Sequence, residues 1–239
     1  MPDTVTILPA LILAAGRGER MRPLTDTTPK PLLTVQGKPL IEWHLAALAR
    51  DGVRDVVINT AHLEEQFEPT LGDGSRWGLR IRYSHERADH GGALETAGGI
   101  AKALPMLGDA FWVLAGDVFV PDFHFSPEAA HRFVASSDWG HLWLVPNPAH
   151  NLKGDFALTP QGRVAQKADL PADTPSWTYS TIGLYRPDMV ATVTAGQAAA
   201  LKPCLDRAIA AGRLGGHLYE GRWTDVGTPQ RLQQLNETA

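Results

Sequence analysis

The chain of 239 residues holds one cysteine, Cys204, so no disulfide can close within it. Its apolar runs are short as well, and none approaches the ~18 consecutive residues of a membrane-spanning helix. The opening MPDTVTILPALILAAG lacks the basic n-region and cleavage site of a secretory leader, so we expect a cytoplasmic protein with no membrane partner. Nor is basic charge in excess. Lys and Arg number 22 against 26 Asp and Glu, a formal net charge of −4, which leaves no broad surface for nucleic acid. The 9 histidines show no HxH or HExxH spacing, which argues against zinc, and no Ser-His-Asp or Cys-His arrangement stands out. Cys204 itself falls at helical spacing with Leu201, Leu205 and Ala208 and reads as core.

What remains is the composition of an ordinary globular protein, 44% hydrophobic and 20% charged. Apolar runs of strand length alternate with helical patterns, the mark of βαβ units and a mainly parallel sheet. Strands are predicted over 10–15, 55–59, 79–84 and 110–117. Helices are predicted over 39–52, opened by Pro39 and closed by Gly52, and over 63–71 and 95–107. The second half is mixed: a helix in SPEAAHRFVASS, a strand in HLWLVPN and a hairpin in DFALTPQGRVAQK turned at Pro160-Gln161-Gly162. The strand TYSTIGLYR, a helix around 198–211 and a last helix opened by Thr228-Pro229 follow. We expect one Rossmann-like α/β domain over 1–239, with helices on both faces of a mixed, mainly parallel sheet.

The densest stretch is LILAAGRGERMRPLTDTTPKPLL, residues 11–33. A strand that ends in Ala14-Ala15-Gly16-Arg17-Gly18 can turn sharply and aim its N–H groups at an anion. Arg17, Arg20, Arg22 and Lys30 crowd this loop in an otherwise slightly acidic chain, and Pro29 and Pro31 frame Lys30. It is neither of two familiar phosphate loops. Met21 stands where a Walker loop needs its Gly-Lys, and where a dinucleotide fingerprint needs its third glycine, and the second strand ends in Asn59 rather than an acid. Asp117 follows the strand AFWVLAG, at the end of the sheet where α/β proteins bind ligands.

These residues resemble the signature LxxAAGxGxRxxPLTxxxPKPL of the sugar-1-phosphate nucleotidyltransferases. The likeness continues through GKPLIEWHL, LETAGGI, WVLAGDVF, Gly154-Asp155-Phe156 and WTDVGT. It implies a GT-A-like nucleotide-binding half over 1–125 and a sugar-phosphate half over 126–239. It implies catalytic roles for Arg20, Lys30 and Asp117, and Mg²⁺ held by Asp117 and Asp225. The nucleotide would lie against Ala14, Ala15, Gly16, Gly18, Glu19, Arg20 and Lys30, with its base read by Glu95, Thr96, Gly98 and Gly99. The sugar phosphate would meet Gly154, Asp155, Lys167, Ser180, Thr181 and Asp225, with Lys153 a further cation near that end.

The reaction so implied is attack of a sugar 1-phosphate on the α-phosphorus of a nucleoside triphosphate, with pyrophosphate leaving. A phosphate monoester has its second pKa near ~6, so the attacking group needs no dedicated base at pH 7. Within the family the resemblance is closest to enzymes that join UTP to N-acetylmuramic acid 1-phosphate in peptidoglycan sugar recycling. Mannose-type guanylyltransferases share the frame, and some relatives bind sugar nucleotides without turning them over. The expected partners are small-molecule substrates, and the expected assembly is a monomer or small homo-oligomer.

Overall fold

The structure, a computed structural model, describes residues 6–171 and 173–237. The first apolar run forms β1 (Ala10–Leu13), with Ala10, Leu11 and Ile12 wholly buried because both faces of the sheet are covered. A small hairpin, β2 (Thr34–Val35) and β3 (Lys38–Pro39), leads into α1 (Leu40–Arg50). Gly52 then ends that turn at φ +89°, a conformation that suits glycine. Next come β4 (Asp55–Thr60), α2 (Phe67–Leu71), β5 (Arg80–His85), α3 (Glu86–His90), α4 (Glu95–Ala103) and β6 (Phe111–Ala115). Two of these helices are shorter than predicted. Residues Glu64–Gln66 form a 3-10 turn before α2, and Pro105, which has no N–H to donate, converts the end of α4 to a 3-10 turn over Leu104–Met106.

The second half holds β7 (Val118–Phe119), α5 (Pro127–Ala135), β8 (Gly140–Val145), and the predicted hairpin of β9 (Phe156–Leu158) and β10 (Val164–Ala165). It ends with β11 (Ser176–Tyr185), α6 (Lys202–Ala210), β12 (Leu214–Leu218), β13 (Thr224–Asp225) and α7 (Pro229–Glu237). The sheet runs β5-β4-β1-β6-β11-β8-β12, with the β9–β10 hairpin joined to the start of β11. Strands β5, β4, β1 and β6 are parallel, and β11 is antiparallel to both β6 and β8. The sheet is therefore mixed and mainly parallel, as the sequence predicts.

Alternation along the strands divides the core between the two faces. Ile12, Ile58 and Leu114 pack with Ile41 and Leu45 of α1; Leu11, Val57 and Val113 pack with Ile100 of α4 and Leu205 of α6. Cys204 is part of the second layer, and burial pushes its thiol pKa up, so it is a core residue rather than a nucleophile. A third cluster joins Met21 of the basic loop to Leu33, Leu40, Phe119 and Val226. It fixes that loop against the strands that carry Asp117 and Asp225. The chain leaves β1 toward β4 on one side, and β6 lies on the other. This reversal of strand order opens a crevice at the carboxyl ends of β1 and β6, where α/β sheets bind ligands.

Candidate active site

A cleft of about 750 Å³ fills that crevice, within the size range of small-molecule sites. Its floor is the turn after β1. Ala14 donates its N–H to Asn59 Oδ1 at 2.7 Å, and Gly18, at φ +66°, reverses the chain while its carbonyl accepts Thr25 Oγ1 at 2.9 Å. Ala14, Ala15, Gly16 and Gly18, the residues expected to meet the nucleotide, all line the cleft. The four cations of the loop do not act alike. Arg17 and Arg22 both pair with Asp26, at 2.7 and 2.9 Å, and brace the loop. Glu19 and Arg20 are exposed and do not line the cleft, because Met21 takes the inward slot of their short turn and is fully buried.

Lys30 is the cation that enters. Only 8% exposed, it starts a 3-10 turn between its prolines and lays its stem along Gly18, with Nζ 2.5 Å from Asp117 Oδ2. Asp117 sits just past β6 because Gly116 lets the strand pass close to β1. A Cβ at Gly116 would lie 3.2 Å from the Leu13 carbonyl and 3.3 Å from Pro31. Below it, α1 carries His44, whose pKa burial lowers to about 4, so it stands neutral beside Val118.

Asp117 and Asp225, far apart in sequence, meet through two strands of two residues each. β13 pairs antiparallel with β7, and Val226 donates its N–H to the Asp117 carbonyl at 2.9 Å. Asp225 is partnered by Arg231 of α7 and, at 2.9 Å, by His150. It is not among the residues that line the cleft, so the structure does not by itself bring it to the sugar-phosphate side where the sequence puts it. Among the described residues no group of three or more His, Cys, Asp or Glu could hold a metal ion. Asp117 and Asp225 are both partly exposed, and carboxylate oxygens are the ligand type that a hard cation combines with water and phosphate.

On the far walls, Glu95 and Thr96 open α4, and Gly154, Asp155 and Thr181, expected to meet the sugar phosphate, line the cleft. Glu95 and Thr181 hold φ of +57° and +64°, which cost free energy in residues other than glycine and persist only where the surroundings enforce them. Thr181 lies in a bulge where β11 shifts register against β8 between Tyr179 and Ile182. Asp155 fixes the entry to that bulge by accepting the Tyr179 N–H at 2.8 Å.

Four further expectations need correction. Ser180 is wholly buried and donates to the Trp143 carbonyl at 2.7 Å, since neighbouring strand residues point to opposite faces and Thr181 takes the cleft side. Gly98 and Gly99 are packing glycines. A Cβ would lie 2.4 Å from the Gln197 carbonyl at Gly98, and 2.5 Å from Glu86 Oε1 at Gly99. Lys167 is exposed and away from the cleft, its turn held outward where Gln166 donates to Asp206 at 2.5 Å. The sequence reading missed Lys202, the other lysine of the cleft, and gave Asn59 no role. Lys202 reads as a surface lysine opening a helix, and it is exposed in the structure, where the fold sets it at the rim of the cleft. Asn59 carried a usable signal, a polar residue at the carboxyl end of an otherwise apolar strand.

A crevice at a strand-order reversal, floored by a glycine loop and headed by a lysine–aspartate pair, defines a nucleotide-binding transferase of the α/β class. The chain belongs to the nucleotidyl transferase family, whose model matches residues 9–239. It is 49% identical over 232 residues to an N-acetylmuramate alpha-1-phosphate uridylyltransferase of Neisseria meningitidis, covering 96% of this chain and 97% of the relative. A relative of the same name from Caulobacter vibrioides is 33% identical over 236 residues, covering 92% of each. In fold the chain is similar to a Bacillus anthracis structure described as a glucose-1-phosphate thymidylyltransferase, with TM-score 0.79 and 22% identity, covering 97% and 94% of the two chains. Enzymes of the family generally use a divalent metal. Among the described residues no helix is long and apolar enough to cross a membrane.

Proposed function

We propose that this enzyme transfers uridylate from UTP to N-acetylmuramic acid 1-phosphate, giving UDP-N-acetylmuramic acid and pyrophosphate in the cytoplasm. The observation that carries this reading is the 49% identity to a relative of that activity across 97% of the relative's length. The triphosphate lies on the loop of Ala14 to Gly18, and the sugar phosphate approaches from the side of Asp155 and Thr181. One of its phosphate oxygens attacks the α-phosphorus in line. The new P–O bond forms as the bond to the β-phosphate breaks, and the electron pair leaves with pyrophosphate. Lys30, released from Asp117 by the incoming phosphates, neutralises charge on that leaving group. Asp117 and Asp225 would hold the divalent ion, Mg²⁺ in this reading, which supplies further charge neutralisation when bound. No side-chain nucleophile or base is required, so the protein's contribution is position and charge.

The sugar assignment makes a specific demand. The lactyl carboxylate of muramic acid needs a cation, and Lys202 at the edge of the cleft would supply it by exchanging Asp206, its partner at 2.5 Å, for the substrate. In a matrix of UTP and GTP against N-acetylmuramic acid, N-acetylglucosamine, glucose and mannose 1-phosphates, UTP with the muramic sugar should give the highest kcat/KM. Lys202→Ala should raise KM for the muramic sugar about tenfold, the worth of one charged hydrogen bond, and leave that for N-acetylglucosamine 1-phosphate nearly unchanged. Preference for GTP with mannose 1-phosphate would overturn the substrate assignment.

A further inference from the structure

Behind the cleft, a buried carboxylate joins two of its walls. Glu86, the first residue of α3, is wholly buried and is not part of the cleft lining. Its Oε1 accepts Asn59 Nδ2 at 2.6 Å, and its Oε2 accepts the Leu94 N–H at 2.7 Å. Asn59 Oδ1 in turn accepts the Ala14 N–H at 2.7 Å. One chain of three hydrogen bonds thus runs from the loop after β1 to the residue before α4.

We infer that Glu86 and Asn59 form a clamp that sets the loop at Ala14 and the segment at Leu94–Glu95 in one fixed relation for the nucleotide. The inference rests on the nucleotide reading above. Its direction is unambiguous, because the Asn59 amide must turn its oxygen to Ala14 and its NH₂ to the carboxylate. The clamp also holds the residue before Glu95, whose backbone at φ +57° needs enforcement from outside. Leu94 is gripped from its other side too, where its carbonyl accepts the Ala199 N–H at 3.0 Å. An apolar side chain would fill the Glu86 position without the cost of burying a carboxylate, so packing alone does not account for it. Burial raises the Glu86 pKa, and the bonds from Leu94 and Asn59 oppose that rise. Gly99 closes the arrangement, since a Cβ there would lie 2.5 Å from Glu86 Oε1 and 2.6 Å from Asn59 Nδ2.

The test exchanges the two functional groups. Glu86→Gln sets an amide against an amide, and Asn59→Asp sets a carboxylate against a carboxylate, a clash that a shared proton would relieve, so the binding measurements are made in alkaline buffer. The double variant restores every bond with the roles swapped. Its carboxylate, now on β4, accepts from the Ala14 N–H and from the amide now on α3, and the oxygen of that amide accepts from the Leu94 N–H. UTP dissociation constants and the KM for each substrate are measured on the folded proteins, along with melting temperatures. Each single variant should raise the UTP constants about tenfold, with KM for the sugar phosphate nearly unchanged, and the double should return UTP to within a few-fold of wild type. Should a single variant fail to fold, Gly99→Ala presses on the same clamp from α4 and should raise the UTP constants alone. Folded single variants that bind UTP like wild type, a double no better than the singles, or a Gly99→Ala protein with normal UTP binding would each overturn the clamp. A wild-type protein that binds no UTP overturns the functional reading and the clamp with it.

Discussion

Asp117→Asn should lower kcat/KM by about 10³-fold or more, several kcal/mol of transition-state stabilisation, and leave the fold intact. Two losses combine at this position. Asn offers one neutral amide oxygen in place of a charged carboxylate, so it is a weaker ligand for the cation that the two carboxylates would hold and neutralises none of its charge. It also leaves Lys30, 8% exposed, without its charged partner 2.5 Å away. The fold should survive because the Asp117 carbonyl keeps its bond from Val226 N–H, and the side chain keeps its shape. Asp225→Asn should act in the same direction with a smaller effect, since Arg231 and His150 remain to hold the amide in place. The checks are kcat/KM at saturating metal and the melting temperature. Turnover near wild type in both variants would remove the carboxylates from the mechanism.

Lys30→Ala should cut kcat/KM by roughly 10²-fold, the scale of one pre-aimed charge on a developing anion. The backbone and stem of Lys30 are set before substrate arrives, and only the ammonium has to leave Asp117. Pro29 and Pro31 limit its backbone, and its stem packs on Gly18, where a Cβ would stand 3.4 Å from the lysine Cβ. Little ordering is left to be done on binding. Lys30→Met separates charge from packing, because it keeps most of the stem. It should lose as much activity as Lys30→Ala while melting closer to wild type. Lys30→Arg should recover activity in part, since a planar fork cannot sit where a point charge sat. Wild-type kinetics in Lys30→Met would show that the lysine supports the loop and not the chemistry.

Parts of this site are written locally and can be read from sequence. β1 and its glycine turn, α1 between Pro39 and Gly52, Lys30 between its prolines and Asp117 after an apolar strand each carry their own punctuation. Other parts exist only through pairing. β7 and β13 have two residues each, too short for any periodicity, yet they bring Asp117 and Asp225 to adjoining positions. Ser180 and Thr181 look equivalent in the run TYSTIG, and the bulge in β11 decides which of them faces the cleft. Gly98 and Gly99 read as open backbone because their neighbours, Gln197 and Glu86, come from other segments. The same holds for Glu86 and Lys202, whose roles depend on which elements the sheet order sets side by side.

The central claim is that a sugar-phosphate oxygen becomes bonded to the α-phosphorus of UTP, with the β- and γ-phosphates leaving together. N-acetylmuramic acid 1-phosphate carrying oxygen-18 at its non-bridging phosphate oxygens, incubated with UTP, Mg²⁺ and the purified protein, tests it in one mass spectrum. Bonding at that phosphorus predicts UDP-N-acetylmuramic acid that retains the whole label and pyrophosphate that holds none. Label in pyrophosphate, loss of label from the nucleotide sugar, or no nucleotide sugar at all would contradict the account.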